Sequence, residues 1–317
     1  MRSKILSLLA FITISSASAQ PFVLVTTGQL TDVARFVAGE HAEVAGMMGP
    51  GIDPHLYQAT PRDVRNLQQA DLILYHGLSL EGQLAEVLDR FARLRPTAAV
   101  AELAIPVEEL LESDDEGLTY DPHVWMDARL FSLTADIVAR ELAAIDPANE
   151  DSYFHNAQVY REQLEALHEW IATATATIPE ETRYLVTAHD AFAYYGRAYD
   201  IDVAAVQGLS TDAEASVADI SEIAGLIVDT GVPAVFVEST INPRTIQAVL
   251  EAVADAGGGA GLGGELYSDA LGPEDEPEGT MIGMLIHNTS VITSALGGSV
   301  PELPAELDAW LERWNQE

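Results

Sequence analysis

Eight histidines occur in the chain, and three of them stand in settings where an imidazole could bind a ligand. His55 and His123 each end an Asp-Pro-His triplet, in which proline stiffens the backbone just before the imidazole. His189 follows the apolar run at 184–187 and precedes a segment with helical periodicity. In parallel α/β sheets, ligands bind outside the carboxyl ends of the strands, where such loops converge. These three imidazoles are therefore candidate binding groups.

Asp269 is a candidate fourth group, because it lies in a long Gly/Pro-rich stretch, 257–279, that needs something to hold it in place. Neutral imidazole suits zinc, copper, iron and nickel, whereas carboxylate oxygen suits harder ions such as manganese. Three histidines and one aspartate would favour a divalent transition metal over calcium or magnesium. The four residues are too far apart in sequence for a zinc finger or an HExxH helix, so only the fold could assemble them, in a cleft between domains.

An isolated loop histidine is more often a surface or hydrogen-bonded residue than a metal ligand, so spacing alone leaves both interpretations open. The other five histidines have simpler explanations. His155 and His168 lie on a predicted polar helix and are expected to be solvated, and His41 is expected in a surface turn. His76 and His287 are expected to be partly buried and hydrogen-bonded.

The elements that must position these residues follow an alternating pattern in the first part of the chain. Short β-rich runs alternate with segments of helical period, which predicts an α/β domain with a mostly parallel sheet. The predicted strands are 22–26, 43–48, 71–75 and 98–103, and the predicted helices between them are 30–38, 61–69 and 82–93. Beyond His123 we predict a helix at 128–144 and then, after Asp146-Pro147, a long polar helix to about Ala176 that separates the halves.

The alternation resumes after that helix and predicts a second α/β domain. The predicted strands are 184–187, 203–206 and 234–237, and the predicted helices are 192–199, 213–229, 243–254 and 279–295. The acidic stretch 108–117 and the Gly/Pro-rich stretch 257–279 are predicted loops. The predicted division is a signal peptide at 1–19, an N-terminal domain at 20–145, a linking helix at 146–177 and a C-terminal domain at 178–317.

The N-terminus has the features of a secretory signal. Arg2 and Lys4 precede the apolar run 5–14, and Ala17-Ser18-Ala19 forms a small-residue cleavage site before Gln20. The apolar run is shorter than the roughly 20 residues that a membrane-spanning helix needs. We therefore expect an exported, periplasmic protein whose mature chain does not insert into a membrane.

Composition excludes several kinds of site and partner. The chain has no cysteine, which excludes disulfides, thiolate metal sites, a cysteine nucleophile and lipid attachment through an N-terminal cysteine. It has 15 basic and 50 acidic residues, a formal net charge of −35 at pH 7, and its only lysine, Lys4, lies in the predicted signal. Nucleic acids and anionic membrane surfaces are therefore excluded as partners, and the acidic surface suggests adaptation to a salty medium.

Several short motifs, in a fixed order, together resemble a known family. They are GIDPH at 51–55, DPHVWMD at 121–127, LVTAHDAF at 185–192, QGLST at 207–211, FVES at 236–239 and LYSDALG at 266–272. Across nearly the whole mature chain, the sequence resembles the periplasmic zinc- and manganese-binding receptors of ABC transporters, the TroA-like group.

The resemblance implies a metal-ligand set of His55, His123, His189 and Asp269, two residues from each domain. It implies capture of one divalent ion, Mn²⁺ or Zn²⁺ with Fe²⁺ also open, by a monomer that delivers the ion to a membrane permease. It further implies a rigid linking helix. Glu238, at the end of a predicted strand, is a candidate for orienting a ligand histidine through the second ring N–H, and Asp190 and Arg244 are candidates on the same footing.

The sequence leaves alternatives open for the identity of the metal and for the class of function. Zinc-dedicated members of the family tend to have a long His-rich loop, whereas 108–120 is short and has no histidine. The Irving–Williams order nevertheless gives such a site tighter zinc than manganese binding. The alternatives to a receptor are a zinc metallohydrolase, which would need an open ligand position, and an adhesin or metal-storage protein. No GxGxxG follows a strand and no GxSxG occurs, which disfavours dinucleotide and serine-hydrolase chemistry.

Overall fold

The computed structural model of the chain describes residues 20–115 and 117–314, so the predicted signal peptide lies outside the described residues. The first half contains a parallel sheet with strand order β2-β1-β3-β4. Its elements, in chain order, are β1 (Phe22–Val25), α1 (Gly28–Ala38), β2 (Glu43–Gly46), α2 (Pro61–Gln69), β3 (Leu72–Tyr75), α3 (Ala85–Ala92), β4 (Thr97–Ala99), α4 (Val100–Ala104), α5 (Ala128–Ser132) and α6 (Thr134–Ile145).

The second half repeats this arrangement after a long helix, α7 (Glu150–Thr175). Its elements are β5 (Tyr184–His189), α8 (Ala193–Tyr199), β6 (Asp202–Gln207), α9 (Val217–Thr230), β7 (Ala234–Glu238), α10 (Arg244–Asp255), β8 (Gly261–Leu266), α11 (Met281–Ala295) and α12 (Asp308–Trp314). Two parallel pairs, β5-β6 and β7-β8, form separate two-stranded sheets, and β5 lies beside β7. Both halves are thus α/β units with parallel strands, as the alternating pattern predicts.

Helix α7 packs against both halves and does more than separate them. It contacts α1, α5 and α6 on one side and α8 and α11 on the other. Its buried face repeats at helical spacing and includes Tyr153, Tyr160, Leu164 and Ile171. The Tyr160 hydroxyl donates to the buried carboxylate of Asp32 in α1 at 2.9 Å, which ties the long helix to the first half.

The same carboxylate oxygen of Asp32 accepts the backbone N–H of Met281, the first residue of α11, at 3.2 Å. One buried side chain therefore joins helices from both halves and from α7, and burial raises the pKa of Asp32. The predicted rigid connection fits this packing, while the domain boundaries at 145 and 177 stay a prediction. Among the described residues, none of the helices has the length and apolarity that a membrane span requires.

Several predicted elements differ from the structure in their bounds. The predicted 98–103 strand ends at Ala99, and α4 begins at Val100. The predicted 128–144 helix is interrupted at Leu133. Helix α9 begins at Val217 rather than at 213, because Ser216 caps it and forms a capping box with Asp219. The 279–295 helix begins at Met281, after a Thr280 cap.

The Gly/Pro-rich stretch 257–279 contains β8, which the sequence did not predict. Its glycines disfavour a strand, but Phe236 packs so closely that a Cβ at Gly263 would lie 2.5 Å from the Phe236 ring. Gly264 has φ of +145°, a conformation that other residues rarely adopt. Tertiary packing therefore selects glycine here and overrides the low strand propensity.

Candidate metal centre

The candidate ligands lie at the carboxyl ends of the parallel strands or in nearby loops, where the two halves face each other. His55 follows β2, His189 ends β5 and Asp269 follows β8. His123 lies between α4 and α5, at the start of a short 3₁₀ turn. The fold thus brings together the four residues that the resemblance implied, and one ligand atom from each lies within 4.8 Å of all the others.

The spacing of these atoms matches the requirements of a small ion. The Nε2 atom of His123 lies 3.2 Å from Nε2 of His189 and 3.4 Å from Nε2 of His55. The Asp269 oxygens lie 3.3 Å from Nε2 of His123 and of His189, and 3.7 Å from Nε2 of His55. A metal bonded to nitrogen at about 2.0–2.1 Å in a tetrahedron separates its ligand atoms by about 3.3 Å.

Hydrogen bonds at Nδ1 determine which nitrogen of two rings carries the proton. His123 Nδ1 lies 2.7 Å from Asp121 Oδ1, and His189 Nδ1 lies 2.8 Å from the carbonyl oxygen of Gly208. Both partners accept hydrogen bonds only, so each ring carries a proton at Nδ1 and, once it is neutral, offers the lone pair of Nε2. The two Nε2 atoms are therefore the ones available to bind a cation beside the Asp269 carboxylate.

The backbone on either side of the centre is also held in place. Asp53 and Asp121 each accept the backbone N–H of the histidine two residues later, at 2.9 and 2.8 Å. Asp269 is fixed through its neighbour Ser268, whose carbonyl accepts a hydrogen bond from Trp125 Nε1 at 2.9 Å and from Gln29 at 3.2 Å. Both donors belong to the first half, so these bonds also cross the cleft.

Glu238 is buried beside the centre but differs in its contact from the prediction. Its Oε1 accepts the backbone N–H of His189 at 2.8 Å, while the ring N–H goes to Gly208. The carboxylate therefore orients the strand end rather than the imidazole. Asp190 is half-buried and Arg244 is exposed, and among the described residues neither hydrogen-bonds a candidate ligand.

Burial and neighbouring charges together shift the pKa values of the candidate ligands. Burial alone disfavours protonation of His123, but the carboxylates of Asp121 and Asp269 outweigh it and raise the pKa of His123 to about 10. Burial lowers the pKa of His55 to about 3. Burial would raise the pKa of Asp269, yet His189 and His123 hold it well below its usual range. The metal-free centre thus retains protons that a cation would replace.

The remaining histidines mostly match their predicted environments. His155 is exposed, and His287 is partly buried and hydrogen-bonded to the Glu265 carbonyl at 3.0 Å. His76 is fully buried, and its Nε2 donates to the carbonyl of Pro122 at 2.7 Å, which supports the second Asp-Pro-His triplet. The prediction for His168 was wrong, because this residue is buried against Tyr199 on the packed face of α7.

Sequence reasoning also missed the contacts of the QGLST segment across the cleft. Thr211 donates its hydroxyl to Asp53 Oδ2 at 2.6 Å, and the backbone N–H of Leu209 donates to Asp115 at 2.8 Å. In the sequence, the only signals for these contacts were the GIDPH and QGLST motifs themselves. A cavity of about 740 Å³ lies along α7 away from this centre, so a large cavity does not locate the site.

Comparison with known proteins gives a consistent family. The family model described as ZnuA, zinc-uptake complex component A, periplasmic, matches residues 23–295. The manganese-binding lipoprotein MntA of Bacillus subtilis is 40% identical over 281 residues, which cover 89% of this chain and 91% of MntA. The zinc-binding protein TroA of Treponema pallidum is 40% identical over 282 residues, with the same two coverages.

Solved structures agree with the sequence comparisons. The periplasmic zinc-binding protein TroA of Treponema pallidum superposes with a TM-score of 0.85 at 40% identity and covers 88% of this chain and 99% of its own. Fe(III)-bound YtgA of Chlamydia trachomatis superposes with a TM-score of 0.79 at 26% identity and covers 89% of this chain and all of its own.

Proposed function

The chain belongs to the family of periplasmic metal-uptake components that the ZnuA model describes, and on that premise we propose that it captures one divalent transition-metal ion for an ABC transporter. The proposed ligands are His55, His123, His189 and Asp269. The observation that carries the proposal is the convergence of the Nε2 atoms of His123 and His189, 3.2 Å apart, on the buried carboxylate of Asp269. A cation can replace the protons that these groups hold, and three imidazoles with one carboxylate suit a transition metal.

Metal analysis and competitive titration test this function. The mature protein should bind one tight ion per chain, and a variant with His55→Ala and His189→Ala should bind none tightly. His155→Ala, on the exposed face of α7, is the matched control and should bind as the parent does. No tight ion in the parent, or undiminished binding in the double variant, contradicts the proposal.

The same titration ranks the metals. The relatives are named for manganese in MntA and for zinc in TroA, and the donor set alone suits both. For the isolated protein we infer tighter zinc than manganese, following the Irving–Williams order. Manganese that displaces bound zinc at equal concentration would contradict this ranking.

Delivery to a membrane permease is the second part of the proposal. The relative FimA of Streptococcus parasanguinis, 32% identical over 243 residues, is named a metal ABC transporter substrate-binding lipoprotein. The predicted signal at 1–19 supports export to the periplasm, where a monomer would load. Metal-loaded protein should stimulate ATP hydrolysis by the cognate permease in liposomes, and metal-free protein should not. Equal stimulation by both forms would contradict a role in delivery.

Receptor function is favoured over hydrolysis because the centre is closed. The carboxylate of Asp269 occupies the position that a catalytic zinc keeps for water, and the four side chains are almost completely buried. A substrate could not reach an ion held there without opening the cleft. Turnover of an ester or phosphate by the zinc-loaded protein, lost in the double variant, would favour the hydrolase instead.

A further inference from the structure

One ligand is closer to solvent than the others. The side chain of His55 is 3% exposed, whereas those of His123, His189 and Asp269 are fully covered. An ion that enters or leaves must cross the covering layer at its thinnest point. In this structure, that point is the loop after β2 that carries His55.

A cavity of about 360 Å³ opens beside this loop. Asp53 and Leu56, on either side of His55 in sequence, form its first-half wall. Thr211, Thr240 and Thr245 belong to the opposite wall, which the second half supplies. The cavity thus lies between the halves and leads from solvent to the flanks of the most accessible ligand.

In the part of the chain that the structure describes, one side-chain hydrogen bond joins the two walls. Thr211 donates its hydroxyl to Asp53 Oδ2 at 2.6 Å, and the other oxygen of Asp53 accepts the backbone N–H of His55 at 2.9 Å. Thr211 is buried and Asp53 is half-buried. The Asp53 carboxylate therefore connects the second half directly to the backbone of a candidate ligand.

We propose that the Thr211–Asp53 hydrogen bond is a latch that controls how fast the bound ion leaves. This inference rests on the proposed function, because it concerns release from the same centre. Thr211 is a positioning residue: it contacts Asp53, which holds His55, and does not itself touch the ion. When the latch opens, the His55 loop separates from the second half and the cavity extends to the ion.

The latch should affect release more than capture. A hydrogen bond to a charged group contributes roughly 1.5–3 kcal/mol, equivalent to a factor of about 10 to 100. The bond joins the two halves in the arrangement that encloses the candidate ligands, so its loss should appear in the dissociation rate. The association rate depends on the open form, in which the bond is already broken, and should change little.

Stopped-flow release of zinc to a chelator tests the latch. Thr211→Val removes the hydroxyl and keeps the side-chain volume, and it should raise the dissociation rate at least about tenfold with one ion still bound per chain. Thr211→Ser restores the hydroxyl and should release the ion at nearly the parent rate. Thr245→Val is the matched control, because Thr245 lines the same cavity and, among the described residues, its hydroxyl makes no bond across the cleft.

The results of the release experiment distinguish a failure of the latch from a failure of the proposed function. Faster release in Thr211→Val only, with unchanged association and melting temperature of the metal-free protein, supports the latch. A parent-like rate in Thr211→Val overturns it, and so does equally fast release in Thr211→Ser, because the hydroxyl would then be irrelevant. If the parent itself binds no tight ion, the proposed function fails, which is a different result.

Discussion

The two Asp-Pro-His triplets have the same sequence but different surroundings. In both, the aspartate accepts the backbone N–H of the histidine two residues later, at 2.9 Å in the first and 2.8 Å in the second. The same oxygen of Asp121 also holds the ring Nδ1 of His123 at 2.7 Å. Asp53 instead uses its second oxygen to accept the hydroxyl of Thr211 from the other half.

The difference separates a proposed ligand held by its own loop from one held across the cleft. His123 is fully covered, and its ring is oriented by a carboxylate of its own loop and supported through Pro122 by His76. His55 lies at the edge, and its loop is held through Asp53 by Thr211 of the other half. An Asp-Pro-His triplet can therefore orient its own histidine ring or bond to the opposite half, depending on which side chains lie next to its aspartate.

The largest effect should come from removing the proposed ligand that its own loop holds. His123→Ala should weaken zinc binding by far more than about hundredfold, since even the loss of an outer partner costs 10- to 100-fold. His55→Ala should cost less, because the three remaining ligands are fully covered and stay together. Competitive titration measures both variants. A larger loss in His55→Ala would break the distinction between the two triplets.

The second prediction compares the two aspartates. Asp121→Asn should weaken binding about 10- to 100-fold, because the amide no longer orients and polarises the His123 ring as a carboxylate does. Asp53→Asn should have a smaller effect on affinity, because its amide can still bond both the His55 N–H and Thr211. The measurement is competitive zinc titration with unchanged circular dichroism as the folding check. Equal losses would mean that the two carboxylates act alike.

Acid should release the ion through the second triplet. The pKa of His123 is about 10 in the metal-free centre, so a proton held below that pH must leave when metal binds, and affinity falls as pH falls. His55, with a pKa of about 3, has no proton to lose at neutral pH. The apparent zinc affinity should drop about tenfold per pH unit between pH 9 and 7. Asp121→Asn removes a carboxylate that raises the pKa of His123, so an unchanged pH slope in that variant would argue against this assignment.

Added salt should produce the smallest effect, and it should act on the charged surface rather than on the two Asp-Pro-His triplets. The chain carries 50 acidic and 15 basic residues, and added salt screens their repulsion. Raising sodium chloride from 0.1 to 1 M should increase the melting temperature of the metal-free protein by roughly 2–4 °C for about 1 kcal/mol. The affinity ratio between His123→Ala and His55→Ala should stay constant, since both residues are covered. A melting temperature that does not rise would count against salt adaptation.

Much of the architecture follows from local pattern. Alternating apolar runs and helical segments predicted two parallel α/β halves and the long helix between them, because strand and helix periods are properties of neighbouring residues. The order of the motifs also identified His55, His123, His189 and Asp269 as one candidate set, and the fold brings their ligand atoms together. The Asp-Pro-His triplets indicated stiff approaches to two imidazoles, a short-range effect of proline.

Other features depended on distant residues and only the tertiary structure decided them. Strand β8 pairs with β7 although it is rich in glycine, because Phe236 leaves room for glycine alone at Gly263, and His168 is buried because its face of α7 packs against the second half. Whether an Asp-Pro-His carboxylate orients its own ring or accepts a hydroxyl across the cleft depends on which side chain the opposite half presents. Such contacts join residues far apart in sequence, so no local period encodes them, and packing alone determines which polar groups meet.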